Sequence, residues 1–187
     1  DLPADEKYWN NSVGLGLVQD KREISSIYST GGYMAQLGAN FYGGILGGKY
    51  DYQRYTGDFR QFYSPWEYTT FGYRVKAGTL AGNTPSINQF SLGGPLSVRG
   101  YKENFIEGDR LLLTNIELRQ RIPGNNAIEL VAFYDLGSVD FKKYYQSYGL
   151  GFRYAIPLLG QLRFDFGWNN EGTDPQPKFH FFVQEMF

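Results

Sequence analysis

The sequence has no cysteine, one histidine, two methionines and a net charge of only -1. Without cysteine there is no disulfide, no thiol nucleophile and no thiolate metal site. A serine hydrolase would need the single histidine, His180, beside a nucleophile and an orienting partner. Ser64, Ser91, Ser97 and Ser147 stand in no such setting. No catalytic residue, no metal ligand and no cofactor is therefore assigned. The near-neutral charge provides no basic field for a nucleic acid. Long apolar runs are also missing. Mean hydropathy is -0.43, and no stretch approaches the ~18 residues of a membrane helix. A membrane barrel escapes that exclusion, because only every second side chain of its strands faces lipid.

What the chain does have is glycine and aromatics: 24 Gly, 16 Tyr, 15 Phe and 3 Trp in 187 residues. Aromatic rings favour pleated surfaces, and glycine marks their bends and turns. Period-two alternation recurs in segments of about ten residues separated by turn residues. Near the C-terminus, Phe179, Phe181 and Val183 oppose His180 and Gln184. Over 160–169, Leu162, Phe164, Phe166 and Trp168 oppose Gln161, Arg163, Asp165 and Asn169. Over 146–156, Tyr148, Leu150, Phe152 and Tyr154 oppose Ser147, Gly149, Gly151 and Arg153. Leu130, Ala132 and Tyr134 oppose Glu129, Phe133 and Asp135, and Ile116 and Leu118 oppose Glu117, Arg119 and Arg121. Further strands are expected over 66–79, 47–61, 31–43 and 10–19. In 47–61, Tyr50, Tyr52 and Tyr55 break strict alternation, which predicts a bulge or a displaced boundary.

Two features turn this pattern toward a membrane barrel. One face is apolar and the other carries charge at mid-strand, which a soluble sandwich would share, but Tyr148, Tyr154, Trp168, Phe179 and Phe187 fall near strand ends, where the aromatic girdles of a membrane barrel sit. Short connections, Pro123-Gly124-Asn125-Asn126 and Leu158-Leu159-Gly160, alternate with long ones at 80–108 and 170–178, as in outer-membrane barrels. The fold class expected is all-β: an antiparallel transmembrane barrel with eight or nine strands in this chain, forming one domain over 1–187. The count of nine conflicts with the even count of single-chain bacterial barrels.

The long connection carries Gly93-Gly94 and then Val98-Arg99-Gly100-Tyr101. Two strands later comes Phe133-Tyr134-Asp135-Leu136-Gly137, with Glu117-Leu118-Arg119 between. This ordered set resembles the superfamily of BamA-type assembly factors and TpsB two-partner-secretion transporters. Its hallmark is a long extracellular loop bearing Val/Ile-Arg-Gly-Phe/Tyr, followed by a Phe-x-Asp-x-Gly strand. The segment from Gly14 to Gly32 is similar to the family's strand with an Asp-x-Arg turn. The ending Phe179, Phe181, Val183 and Phe187 resembles the family's terminal assembly signal, with Gln184 where the family often has glycine.

The resemblance implies the C-terminal half of a sixteen-stranded barrel in a bacterial outer membrane. It implies that loop 80–108 folds into the lumen and that Arg99 pairs with Asp135 on the inner wall, with Glu117 as a secondary partner. The implied role is insertion or translocation of polypeptides, without enzymatic activity. A membrane anchor or dimerisation barrel, as in patatin-like autotransporters, and a small stand-alone pore are the alternatives. The partners implied are outer-membrane lipid, a polypeptide substrate, and either a missing N-terminal half-barrel or a second copy of the chain.

Overall fold

The computed structural model describes residues 8–25, 28–156, 160–171 and 177–184. Thirteen strands account for most of them. They are β1 (Ser12–Asp20), β2 (Glu23–Ser25), β3 (Tyr28–Gly31), β4 (Tyr33–Tyr42), β5 (Tyr52–Trp66), β6 (Thr69–Gly82) and β7 (Phe90–Leu92). There follow β8 (Ile106–Gly108), β9 (Arg110–Ile122), β10 (Asn125–Val139), β11 (Lys143–Ile156), β12 (Gly160–Asn169) and β13 (Lys178–Gln184). Nine of these form one antiparallel sheet in the order β1-β4-β5-β6-β9-β10-β11-β12-β13. Each strand expected from alternation has its counterpart in this sheet. The short pairs β2-β3 and β7-β8 are separate hairpins.

The register sorts side chains as the alternation requires. Leu130, Tyr134, Tyr148, Leu150 and Phe166 lie on the convex face, exposed. Glu117, Glu129, Asp135, Arg153 and Asp165 lie on the concave face, buried. A sheet with its large apolar side chains outward and its charges inward suits lipid outside and a polar lumen inside.

The sheet is open. Among the described residues β1 and β13 are its edges and do not pair with each other, and all nine residues of β1 are exposed. Unpaired backbone groups in hydrocarbon cost several kcal/mol each, so these edges need partners in the membrane.

Two expectations are corrected, and one pair of alternatives is decided. Strand β6 runs to Gly82 and β9 begins at Arg110, so the long connection spans 83–109 rather than 80–108; strands of 13 to 15 residues outrun the 9–11 needed to cross the bilayer. Of the bulge or displaced boundary expected over 47–61, the structure has the displaced boundary: β5 starts at Tyr52 and pairs without a shift as far as Tyr63, with an irregularity between Tyr63 and Trp66. Tyr50 precedes the strand, while Tyr52 faces in and Tyr55 out, so the three tyrosines never shared one alternating run. Finally, residues between β1 and β4 form the hairpin β2-β3, where no strand was expected. Its Tyr28 is 2% exposed and donates from its hydroxyl to the carbonyl of Ala127, 3.0 Å away. Ser64 donates to the carbonyl of Thr30. The hairpin thus straps the lumenal end opposite the long loop.

Candidate functional site

Loop 83–109 lies in the lumen. Its Phe90, Leu92, Val98 and Tyr101 join Tyr52, Leu80, Leu111, Leu113, Val139 and Tyr145 of the inner wall in one buried apolar cluster. This cluster occupies the loop end of the strands, and the charged residues lie deeper. The loop folds on itself through the β7-β8 hairpin. Gly93 and Gly94 both have positive φ, 105° and 95°, a conformation that side chains disfavour.

The four residues of the loop motif each meet a different feature of the wall. Val98, fully buried, sits against Gly137, where an added Cβ would lie 2.9 Å from it. Arg99 enters between β9 and β10. Asp135 Oδ2 accepts from the Arg99 backbone N–H at 3.0 Å and from Nε at 2.8 Å. Its Oδ1 accepts from Nη2 at 2.8 Å and from Asn115 Nδ2 at 2.8 Å. All the acceptor capacity of a carboxylate is thereby used. Arg99 Nη1 donates to Glu117 Oε1 at 2.5 Å, and the guanidinium lies 3.6 Å from the centroid of the Phe133 ring, within cation–π range. Burial works against the charge of Arg99, but Glu117 and Asp135 outweigh it and hold the guanidinium above its ordinary value. Gly100 passes over β11 and β12, where a Cβ would meet Ser147 at 2.6 Å. Tyr101 packs on Phe105 and Tyr145, with centroids 4.8 and 5.6 Å away.

Three wall strands also hold the loop's backbone carbonyls. Asn115 of β9 donates to Ser97 O at 2.9 Å. Asn169 of β12 donates to Gly100 O at 2.7 Å. His180 of β13 meets Arg99 O through Nε2 at 2.6 Å; a carbonyl only accepts, so Nε2 carries the proton.

The sequence model of the Omp85 superfamily domain matches residues 2–187. The chain belongs to the Omp85 superfamily. It is 27% identical over 174 residues to a protein of Nitratidesulfovibrio vulgaris named outer membrane protein assembly factor BamA, covering 79% of this chain and 22% of that protein. Its fold is similar to the crystal structure of BamA from Haemophilus ducreyi lacking POTRA domains 1–3, with a TM-score of 0.79 and 14% identity over 91% of this chain and 41% of that one. The chain thus spans about a fifth of the curated relative's length. As an Omp85 protein it is a bacterial outer-membrane β-barrel protein.

The Omp85 wall contains further residues to which the sequence assigned no partner. Gly167 of β12 faces Arg99, and a Cβ there would lie 2.6 Å from the Arg99 carbonyl oxygen. Asp165 pairs with Arg153 at 2.5 Å and lies 3.9 Å from Arg99. Arg119 pairs with Glu117 at 2.7 Å. Parity had placed all of these on the inner face but not their contacts: Arg119 meets Glu117 of its own strand, Asp165 meets Arg153 of the neighbouring strand, and Gly167 meets Arg99 of the loop. On β13, Phe179, Phe181 and Val183 point outward and are exposed; Phe187 lies outside the described residues. Asp20 and Arg22 of the Asp-x-Arg turn form an ion pair at 2.6 Å.

Proposed function

We propose that this chain is the loop-bearing half of an Omp85 barrel that inserts polypeptides into the outer membrane or moves them across it. The observation that carries this reading is the seating of Arg99 between Asp135 and Glu117, beneath a loop whose three apex carbonyls are held by the wall. Such a loop acts as an internal lock that fixes the curvature of β9–β13 and leaves the rest of the lumen to a passing chain. The lumen and its seams do the work, and no covalent step is involved.

Residues 1–187 act as one barrel domain in this reading, half of a closed barrel of about sixteen strands. The free edges of β1 and β13 support it, because neither is stable against lipid. Closure comes from another part of a longer polypeptide or from a second copy of the chain. The same open edges disfavour a small stand-alone pore.

The test is reconstitution of the full-length protein in liposomes. An unfolded outer-membrane barrel is added and its folding is followed by heat-modifiable mobility. The protein should speed folding over empty liposomes, and Arg99→Ala should remove most of the gain. Equal rates with and without the protein would overturn the assembly role.

A further inference from the structure

Between the docked loop and the β2-β3 strap, the concave face encloses a cavity of about 370 Å³. Its ceiling is formed by Pro95, Leu96 and Arg99, and its floor by Ile24, Tyr28 and Ser29. Eight of its lining side chains are arginine or lysine, and one, Glu117, is acidic. Most of these cations are answered by carboxylates set back in the wall. Arg99 has Asp135, Arg119 has Glu117, and Arg153 has Asp165.

The β5-β6 wall is different. Asp58 is its one carboxylate. Arg74 takes Asp58 at 2.5 Å and Arg60 takes it at 3.0 Å. Lys76 stands directly opposite Asp58 in the register, yet among the described residues it has no ion pair. Independently, Arg153 is 2% exposed, and its buried Nη2 has no hydrogen-bond acceptor among the described residues. Glu117 Oε1 lies 3.8 Å from it, beyond hydrogen-bond distance. A buried guanidinium N–H without an acceptor is costly, and it lines the same cavity as the unmatched ammonium of Lys76.

We propose that this cavity binds a phosphate-class oxyanion, with Lys76, Arg74 and Arg153 as its donors. A tetrahedral oxyanion offers several acceptors to converging cationic donors, which is the arrangement in which arginine and lysine recognise phosphate. The inference goes beyond the translocation reading and does not depend on it. The oxyanion is either free in solution or carried on a lipid headgroup.

The test is titration of inorganic phosphate onto the full-length protein in detergent at constant ionic strength, followed by 31P line broadening. Saturable binding is expected, weakened roughly tenfold in Lys76→Gln, the usual effect of one lost charge-assisted hydrogen bond. Lys76→Arg should retain it, as should Lys142→Gln, which alters an exposed loop lysine. Absence of saturable binding, or an unchanged affinity in Lys76→Gln, overturns the site. Should Lys76→Gln fail to fold, Lys76→Arg decides: retained binding supports the site and lost binding overturns it. Repeating the titration in nanodiscs identifies the source. Weaker phosphate binding in anionic phosphatidylglycerol than in zwitterionic phosphatidylcholine names a lipid headgroup. Equal binding names the free oxyanion.

Discussion

His180, the chain's single histidine, donates from Nε2 to the backbone carbonyl of Arg99 at 2.6 Å. The contact ties the sheet's last described strand to the tip of a loop 81 residues earlier. It makes edge strand β13 part of the lock, so the loop's seating and the order of that edge should respond together. His180→Phe removes the donor and leaves the strand's packing face aromatic. It should cost about 1 kcal/mol and increase hydrogen exchange at both β13 and residues 97–101. Exchange raised at β13 alone would separate the two.

The clamp itself should be far more sensitive. Arg99→Ala leaves Asp135, which is wholly buried, without its guanidinium. The loss should be roughly 3–5 kcal/mol, the usual cost of breaking one side of a buried pair. Arg99→Lys keeps the charge but not the planar fork, and should recover only part. Limited proteolysis within 83–109 measures this directly. A loop as protected in Arg99→Ala as in the natural protein would refute the clamp.

Close approach and backbone conformation should separate at two glycines. Gly100 fails to accommodate a methyl group because Ser147 and the backbone of β12 occupy the space. Gly124, in the two-residue turn between β9 and β10, has open space around it but a φ of 79°. Gly100→Ala should undock the loop. Gly124→Ala should cost only about 1 kcal/mol and leave loop protection intact. Equal proteolytic sensitivity in the two variants would contradict the fit at Gly100.

Alkaline pH should loosen the loop through Tyr101. Burial, followed by the charge of Glu171, pushes its phenol up to about 12 from an ordinary value of 10.0. The folded state therefore favours the neutral phenol. That preference is satisfied at every pH below the ordinary value, and stability is lost as pH rises from there through about 12. Tyr101→Phe should flatten the decline in loop protection over this window. An identical decline in the variant would place the alkaline effect elsewhere.

The open edges lead to a prediction about assembly. This chain, expressed alone and folded in detergent, should not persist as a monomer, because β1 and β13 expose unpaired backbone groups. Native mass spectrometry should give a discrete dimer or no folded species at all. A stable folded monomer would mean that the chain closes on itself.

The sequence by itself determined the nine strands of the main sheet and which way they face. Period-two alternation fixes facing wherever one side meets lipid, because a one-residue slip would turn Glu117, Arg119, Asp135 and Arg153 outward. It also placed Val98-Arg99-Gly100-Tyr101 in the long connection and Asp135 and Glu117 on the inner wall, since motif and parity are local properties. Only the tertiary structure decided what those side chains touch. His180 and Asn169 reach the loop from strands 69 to 81 residues away, and no periodicity encodes such a distance. The β2-β3 strap was hidden for a related reason. Its strands are three and four residues long, too short to show a period, and they are held by Tyr28 and Ser64 reaching backbone carbonyls that any residue would offer. The cavity's unmatched charge was equally invisible, because only the fold sets Lys76 opposite Asp58 and yet gives Asp58 to Arg74 and Arg60.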